Sequence, residues 1–150
     1  MIGSDIVHIL QAQLSDLEDL VALRIKAMQP SLEAVGRFDP DRARERFVNS
    51  FSAGNTFKVL IDRQLVGFYV VIEKTDHLWL DHLYIDPEFQ GNSLGKRIIG
   101  TLKQQAKSKA LPLRLGALKE SRANAFYLQQ GFVPIDRQEW DNIYQWHEPE

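Results

Sequence analysis

Residues 83–96 constrain the fold most strongly, because they pass from an apolar stretch through a polar turn into an amphipathic stretch. The first three residues are typical of the end of a β-strand, and the last begin a run of helical periodicity. A helix start leaves its first N–H groups without intrahelical partners and carries the positive end of the helix dipole. Gly91 and Gly95 let the backbone turn tightly and approach a bound group closely. The segment therefore predicts a strand, an anion-binding turn and a helix in succession.

Two nucleotide-binding motifs place glycines in such a turn, and this chain matches neither of them. The dinucleotide fingerprint needs GxGxxG followed about twenty positions later by an acidic residue, and the phosphate loop needs GxxxxGK[ST]. Gly91 and the pair Gly95-Lys96 are one residue too close for the phosphate loop. In addition, Arg97 stands where Ser or Thr would hold magnesium.

The turn instead resembles the acyl-CoA pyrophosphate loop of the GNAT superfamily of N-acetyltransferases, whose pattern is Gln/Arg-x-x-Gly-x-Gly/Ala. Gln90, Gly95 and the flanking residues 85–88 match this pattern, while Ser93 replaces its first glycine. Ser93 still offers its backbone amide and adds a hydroxyl donor.

A second resemblance lies downstream, where residues 122–132 are similar to the late helix and following strand of the same family. The family pattern is Arg-Ala-x-x-Phe-Tyr-x-x-x-Gly-Phe, and the family usually carries an asparagine seven residues before the tyrosine. Here Glu120 stands at that position. Gly131 also fits the C′ residue of a helix in the left-handed conformation. Two matches in the expected order favour membership of this family.

The resemblance implies an α/β fold of the α+β mixed-sheet type, with six to seven strands, splayed central strands and about four helices. The composition is consistent with one such domain over residues 1–150. A chain of 150 residues with 44% apolar and 25% charged residues is ordinary for a soluble globular protein.

Hydrophobic periodicity predicts the individual elements. Ser15 with Glu18 predicts a capping box that opens a helix, and Pro30 predicts its end. Asp39-Pro40 predicts the start of a second helix that reaches about Phe51. Strands are predicted at 6–11, 57–61, 65–73, 78–85 and 112–118, further helices at 96–109 and 121–130, and a closing strand pair within 132–146 with its turn near 141–142.

The family resemblance implies acetyl-CoA as the cosubstrate and indicates which residues bind it. Leu83, Tyr84 and Ile85 would bond the pantetheine arm through their backbone, although Leu83 and Ile85 are equally typical of a protein core. Lys96 and Arg97 are also typical of solvated charges at a helix start. The residues expected at the cofactor are Leu83, Tyr84, Ile85, Gln90, Gly91, Asn92, Ser93, Leu94, Gly95, Lys96 and Arg97.

Tyr127 is the predicted general acid, because the matching tyrosine of the family lies near the thioester sulfur. A phenol held within hydrogen-bond reach can protonate a departing thiolate. The alternative is a half-buried aromatic residue that packs against the sheet.

Asp81 and His82 are the candidates for the general base, with Glu73 more distant. An amine at neutral pH is mostly protonated, so a group must accept its proton directly or through water. Neighbouring side chains on a regular strand face opposite sides, so we expect only one of Asp81 and His82 to face the reaction centre. A strand histidine is also often a structural hydrogen-bonding residue.

The acceptor pocket is expected in the early helices, which correspond to the acceptor-covering region of the family. Its candidate residues are Met28, Leu32, Phe38 and Arg46. Trp79, Trp140, Tyr144 and Trp146 could also line such a pocket, although aromatic residues in strands usually serve packing. The acceptor could be a small-molecule amine or a protein or peptide amine.

Composition excludes several other functions. The net charge of −2 and the pI near 6.1 argue against a general nucleic-acid binder. The chain has no cysteine, which excludes disulfides, thiolate zinc sites and an acyl-cysteine intermediate.

His8, His77 and His147 show no ligand spacing, so no metal is expected. No signal peptide or membrane span is indicated, so we expect a cytoplasmic protein, with a homodimer conceivable through the C-terminal strands.

The most specific hypothesis is an acyl-CoA-dependent N-acetyltransferase that moves an acetyl group from acetyl-CoA to a primary amine by direct attack. The alternative is a catalytically silent acyl-CoA-binding or regulatory module, which would bind the cosubstrate without turnover. A scaffold that never binds CoA is a third reading.

Overall fold

The computed structural model describes residues 6–34, 36–91 and 93–149, without the side chain of Ser31. The described residues form two compact units, one within residues 6–70 and 82–94 and the other within 71–81 and 95–149. Their strands are β1 (Val7–Gln11), β2 (Thr56–Ile61), β3 (Gln64–Glu73), β4 (Leu78–Ile85), β5 (Leu113–Leu118), β6 (Val133–Arg137) and β7 (Asp141–Trp146). Their α-helices are α1 (Leu17–Ala34), α2 (Pro40–Ser50), α3 (Leu94–Lys109) and α4 (Ala123–Gln129).

β1, β2 and β3 form an antiparallel meander in the first unit, as their alternating apolar residues predict. Asp62 and Arg63 connect β2 to β3 with φ of 50° and 66°. Two consecutive left-handed residues are what a type I′ hairpin turn requires, because its twist matches that of the paired strands. The register of β2 and β3 shifts between Val59 and Leu60, beside Gly67.

The start of α1 differs from the predicted capping box of Ser15 and Glu18, which is wrong. A 3-10 turn at Leu14–Asp16 precedes the helix. The Asp16 carboxylate accepts a hydrogen bond from the backbone N–H of Gln13 at 2.7 Å, so the reciprocal cap lies two residues earlier. Glu18 instead pairs with Arg44 of α2.

The end of α1 also differs from the prediction, because Pro30 lies inside the helix and not at its end. A proline in a helix interior removes one backbone hydrogen bond and costs about 3 kcal/mol. The helix nevertheless continues to Ala34, and the Gln29 side chain donates to Glu33 Oε1 at 2.7 Å across the proline. The additional turn places Leu32 in the wall of a cavity, and the Leu32 carbonyl accepts from the Arg37 N–H at 2.8 Å, so the proline does not end the helix.

α2 begins as its sequence predicts. Asp39 is the N-cap and its carboxylate accepts from the backbone N–H of Arg42 at 3.1 Å, with Pro40 in the first turn. Ala43 and Phe47, four residues apart, form the buried face. Phe47 packs edge-on against Phe68 of β3, with ring centroids 5.4 Å apart, and so joins the helix to the sheet of the first unit.

The second unit is built around β5. Leu113–Leu115 pair in parallel with Leu78–Leu80 of β4, and the whole of β5 pairs antiparallel with β7. β6 pairs with β7 and lies at the edge of the sheet. The predicted turn near 141–142 is wrong by a few residues, because Gln138 N–H donates to the Asp141 carbonyl at 2.8 Å and closes the turn earlier.

The strand order β1-β2-β3-β4-β5-β7-β6 gives a mixed sheet in which β4 and β5 are the parallel pair. This order, with seven strands and four α-helices among the described residues, confirms the predicted mixed α/β fold class. Over the same residues, no helix has both the length and the hydropathy that crossing a lipid bilayer requires.

Candidate active site

The predicted anion-binding turn starts with a buried, well-anchored aspartate. The Asp86 backbone N–H donates to the Val66 carbonyl of β3 at 2.8 Å. The Asp86 carboxylate accepts from the Glu88 backbone N–H at 2.9 Å and from Lys26 Nζ of α1 at 3.0 Å. The hydrogen bond to Asp86 raises the pKa of Lys26. The turn is therefore held to both β3 and α1 where it leaves the strand.

The middle of the turn reverses direction through left-handed backbone conformations at Gly91 and Ser93, with φ of 79° and 66°. Ser93 replaces the patterned glycine, and its positive φ is the physical reason that glycine suits this position. Gly95 has a helical backbone, so the expected turning role falls to Gly91 and Ser93. The predicted cofactor residue Asn92 lies outside the described residues.

Substitutions at the two left-handed residues of this turn should differ in their effect on stability. Ser93→Gly relieves a left-handed strain of about 1 kcal/mol and loses part of it to the greater freedom of glycine in the unfolded chain, so we expect a change between zero and about 1 kcal/mol of stabilisation. Gly91→Ala introduces the same strain without a steric clash, because nothing lies within 4 Å of the added Cβ. It should destabilise by about 1 kcal/mol. Urea denaturation measures both changes, and a marked loss of stability in Ser93→Gly would contradict the strain argument.

α3 begins directly after the turn, at Leu94. The Leu94 side chain is buried and so anchors the start of the helix. Lys96 and Arg97 are exposed in the first turn of the helix. The Gln90 side chain donates to the carbonyl of Ile85 at 3.1 Å and so ties the turn to the end of β4. Of the predicted residues, Gln90, Gly91 and residues 93–97 therefore lie in the turn and at the start of α3, where unpaired N–H groups are expected.

A hydrogen-bonded group of side chains joins β4 to α1 in the first unit. Nε of Arg24 donates to the Tyr84 hydroxyl at 3.2 Å, and Nδ1 of His82 is hydrogen-bonded to the same hydroxyl at 3.2 Å. The His82 ring stacks on the Tyr84 ring and meets Phe47 edge-on. Arg24 also donates to the carbonyl of Ala43 in α2. His82 is therefore oriented by an aromatic and polar cluster that reaches α1 and α2.

The other two candidate bases have different partners. Asp81 is exposed and accepts a hydrogen bond from Nε1 of Trp79 at 3.1 Å. The hydrogen bonds from Trp79 to Asp81 and between His82 and Tyr84 each join residues that are two apart on β4. Residues two apart lie on the same face of a strand, so Asp81 and His82 lie on opposite faces, as predicted. Glu73 forms an ion pair with Lys109 at 2.7 Å.

α1, α2 and residues 36–39 between them line an open cavity of about 650 Å³ in the first unit. Each of the four residues expected at the acceptor lines this cavity, namely Met28, Leu32, Phe38 and Arg46. Arg24, Arg37 and Arg42 also line it. The structure therefore brings the predicted acceptor residues together, and Arg24 belongs both to this cavity and to the His82 cluster.

A helix-capping motif positions Tyr127 in the second unit. Gly131, with φ of 88°, is the C′ residue of α4, so the expected left-handed conformation is confirmed. Its N–H donates to the Leu128 carbonyl and the Phe132 N–H donates to the Tyr127 carbonyl, each at 3.1 Å, which is the Schellman arrangement. The same motif brings the Phe132 ring against the Tyr127 ring, with centroids 5.7 Å apart. Gly131 and Phe132 of the sequence pattern therefore hold Tyr127 in position through the helix cap and the ring contact.

Tyr127 is 8% exposed, and its hydroxyl has no hydrogen-bond partner among the described residues. Burial raises the pKa of Tyr127 to about 12, so the phenol stays protonated at neutral pH. Tyr144, whose ring also contacts Tyr127, donates its own hydroxyl to Oδ1 of Asn124 at 2.8 Å. Of these two buried phenols, only Tyr144 has a hydrogen-bond partner for its hydroxyl among the described residues.

Two residues of these clusters were not predicted. Asn124 accepts from Tyr144 and Asn142 and donates to the carbonyls of Leu118 and Ser121, and so anchors the start of α4. Arg24 is only 8% exposed. Its signal in the sequence was its i+4 spacing from Leu20, which put a charged residue on the apolar face of α1.

The remaining polar and aromatic candidates have structural contacts. Trp79 packs over Gly116, and Trp146 lies beside Gly131 and beneath the ammonium of Lys103. Trp140 is 59% exposed. Glu120 has a φ of 67°, a conformation that asparagine tolerates better than glutamate.

Within the described ranges, no three His, Asp or Glu side chains converge as the ligands of a metal ion would. His77 is hydrogen-bonded to Asp76 at 2.7 Å, and His147 to the carbonyl of Glu148 at 3.1 Å. His8 is exposed on β1.

The chain matches one family model and is similar in fold to solved structures. Residues 26–147 match a family model described as Acetyltransferase (GNAT) domain. PaiA N-acetyltransferase from Thermoplasma acidophilum, solved in complex with coenzyme A, is 19% identical with a TM-score of 0.76, over 95% of this chain and 99% of that one. PH1933 from Pyrococcus horikoshii OT3 is 17% identical with a TM-score of 0.76, over 97% and 100%.

The ribosomal-protein-S18-alanine N-acetyltransferase from Escherichia coli is 16% identical with a TM-score of 0.67, over 93% of this chain and 91% of that one. At these identities the likeness to solved structures shows a common fold. No curated protein sequence matches the chain significantly.

Proposed function

Because this chain belongs to the GNAT acetyltransferase family, we propose that it transfers an acetyl group from acetyl-CoA to a primary amine by direct attack. The observation that carries the proposal is the segment from β4 to α3, in which left-handed residues Gly91 and Ser93 lead into a helix N-terminus. That geometry suits a pyrophosphate, because backbone N–H groups and the helix dipole both favour an anion.

The residues of this segment fit the cosubstrate in shape and polarity. A Cβ added at Gly91 would meet no atom within 4 Å, so the backbone has open space beside it for a phosphate. The amides from Gln90 to Arg97 would hold the pyrophosphate, and the backbone of Leu83, Tyr84 and Ile85 would hold the pantetheine arm. Acetyl-CoA would supply the activated acyl group as a thioester.

His82 is the proposed general base. Its Nδ1–H would donate to Tyr84 Oη, which also accepts from Arg24, and Nε2 would then accept the proton of the attacking amine. The Tyr84 and Phe47 rings hold the imidazole in one orientation. Asp81 is the weaker candidate, because its carboxylate is exposed and bonded to the indole of Trp79.

Tyr127 is the proposed general acid. The N–C bond forms as the C–S bond breaks, the amine proton passes to His82, and the departing thiolate takes the phenolic proton of Tyr127. A buried phenol with a raised pKa holds this proton throughout the physiological range. The cavity lined by Met28, Leu32, Phe38 and Arg46 would bind the acceptor.

Calorimetric titration with acetyl-CoA tests the first step of this proposal, with desulfo-CoA and ATP as controls. We expect micromolar binding of acetyl-CoA and desulfo-CoA that ATP does not reproduce, because the pantetheine contacts are absent from ATP. An amine screen by thiol release follows, and it has no background from protein thiols because the chain lacks cysteine.

The two measurements separate the proposal from its alternatives. Binding together with thiol release that depends on an amine supports the transferase. Binding without turnover of any amine favours a silent acyl-CoA-binding module. Absence of acetyl-CoA binding overturns both and leaves a scaffold.

A further inference from the structure

The cavity between α1 and α2 carries a large excess of positive charge. Among the described residues of its lining, four are arginines and one, Asp39, carries a carboxylate. That carboxylate already caps α2 by accepting from the backbone N–H of Arg42. Within the described lining, this one carboxylate does not balance the positive charge of the arginines.

Arg42 and Arg46 are the arginines of this lining that are available to a ligand. Arg24 is already bonded to Tyr84 and to the Ala43 carbonyl. Among the described residues, the guanidinium groups of Arg42 and Arg46 have no hydrogen-bond or ion-pair partner. Arg44, between them on the same helix, pairs with Glu18 of α1 and does not line the cavity.

The positions of Arg42 and Arg46 are unfavourable for the isolated helix. They lie four residues apart on one face of α2, where like charges repel. Arg42 also lies in the first turn, where the positive end of the helix dipole disfavours a cation. A bound anion would remove both penalties, because it neutralises the pair and complements the dipole.

The remaining wall of the cavity limits what else the ligand contains. Met28, Leu32 and Phe38 are apolar, so the ligand needs an apolar body beside its charged group. A volume of about 650 Å³ accommodates a molecule of amino-acid size or somewhat larger. Arg24 connects this wall to the Tyr84 and His82 pair, so a ligand in the cavity lies beside the cluster that contains the proposed base.

We propose that the acceptor is an amine that also carries an oxyanion, and that Arg42 and Arg46 bind this oxyanion in the cavity. The inference rests on the proposed transferase function and specifies its substrate class. A guanidinium fork can bind a carboxylate or a phosphate through two parallel hydrogen bonds. A polycationic amine of the same length is disfavoured by the same charges.

Matched acceptors test the proposal with acetyl-CoA and wild-type protein. The pairs are γ-aminobutyrate with n-butylamine and L-leucine with L-leucinamide, and tetramethylenediamine serves as the cationic analogue. Aminopropyl phosphate distinguishes a phosphate from a carboxylate. We expect kcat/KM for the anionic member of at least one pair to exceed that of its neutral partner by about 30-fold, as for a pair of charge-assisted hydrogen bonds.

Charge-removing variants assign the preference to its residues. Arg42→Gln with Arg46→Gln should reduce the preference for the anionic member to within about threefold, because its kcat/KM falls by much more than that of its partner without an oxyanion. Arg44→Gln is the matched control, because it removes an arginine from the same helix outside the cavity. It should keep the wild-type preference. Higher ionic strength should reduce the preference of the wild-type protein, since both guanidinium groups are solvent-accessible.

The outcomes separate this inference from the transferase proposal. Turnover that favours neutral or cationic amines, or a preference that survives in the double variant, overturns the oxyanion site and leaves the transferase standing. If no amine is acetylated, calorimetry of the three anionic amines decides. Binding that the double variant loses supports the oxyanion site without the transferase, and no binding to the wild-type protein overturns the inference.

Discussion

Tyr127→Phe should lower turnover by about two to four orders of magnitude while leaving the affinity for acetyl-CoA within about threefold, because general acid catalysis contributes on this scale. The change removes one hydroxyl and keeps the ring that packs against Phe132 and Tyr144. No described residue hydrogen-bonds that hydroxyl, so its loss leaves no buried partner unsatisfied. Thiol-release kinetics and calorimetry measure the two quantities.

Tyr144→Phe is the control, since it removes a hydroxyl from the neighbouring buried ring. That hydroxyl donates to Asn124 at 2.8 Å, so its loss should cost about 1 kcal/mol of unfolding free energy and little turnover. If Tyr127→Phe retains full turnover and Tyr144→Phe does not, the assignment of the general acid is wrong.

The pH profile provides a second readout of Tyr127. Burial raises the pKa of Tyr127 to about 12, so the phenol keeps its proton well beyond pH 10. Turnover of the wild-type protein should therefore show no decline between pH 7 and 10 that arises from this group. A decline in that range that Tyr127→Phe abolishes would show that the phenol loses its proton much earlier than its burial implies.

Gly67→Ala should destabilise the protein by about 2–3 kcal/mol, as overpacking a well-packed interior does. A Cβ at this position would lie 2.8 Å from the backbone oxygen of Tyr84 and 3.7 Å from the Cα of Ile85. Backbone atoms cannot rotate away as a flexible side chain can, so β3 must shift against β4. Urea denaturation measures the change in unfolding free energy.

The same substitution should weaken acetyl-CoA binding under the proposed function, because it displaces the backbone expected to hold the pantetheine arm. Gly100→Ala is the control, since Gly100 lies in α3 with nothing within 4 Å of an added Cβ. It should stabilise by about 1 kcal/mol through helix propensity. A Gly67→Ala protein as stable as the wild type would mean that β3 and β4 are not in such close contact.

Much of the local structure was predictable, because its signals act within a few residues. Asp39-Pro40 starts α2 through an N-cap and a preset proline φ, and Gly131 ends α4 through a left-handed conformation. β4 was predicted with its observed bounds, since its apolar run ends at a polar turn. The family patterns indicated the β4-to-α3 turn and Tyr127 before any geometry was known.

Other features depended on partners distant in the sequence. Pro30 predicts a helix end, yet α1 continues through it to Ala34, and its last turn carries Leu32, which lines the cavity together with residues of α2. The sequence does not show what an arginine on the apolar face of a helix contacts. In the structure, Arg24 donates to the hydroxyl of Tyr84, which lies sixty residues away in the sequence. His82 meets Phe47 of α2 edge-on, a contact that the sequence of β4 does not indicate, and the choice between Asp81 and His82 as the base stays a prediction.

The sequence by itself determined the conformations that capping, torsional preference and hydrophobic periodicity specify, which are most of the strands and helices and the left-handed conformation of Gly131. Only the tertiary structure decided that Met28, Leu32, Phe38 and the arginines line one cavity, and that Arg24 joins it to His82. The reason is physical. Local signals arise from interactions between residues that are close in the sequence. Burial, charge balance and hydrogen-bond partners depend instead on which distant segments pack together.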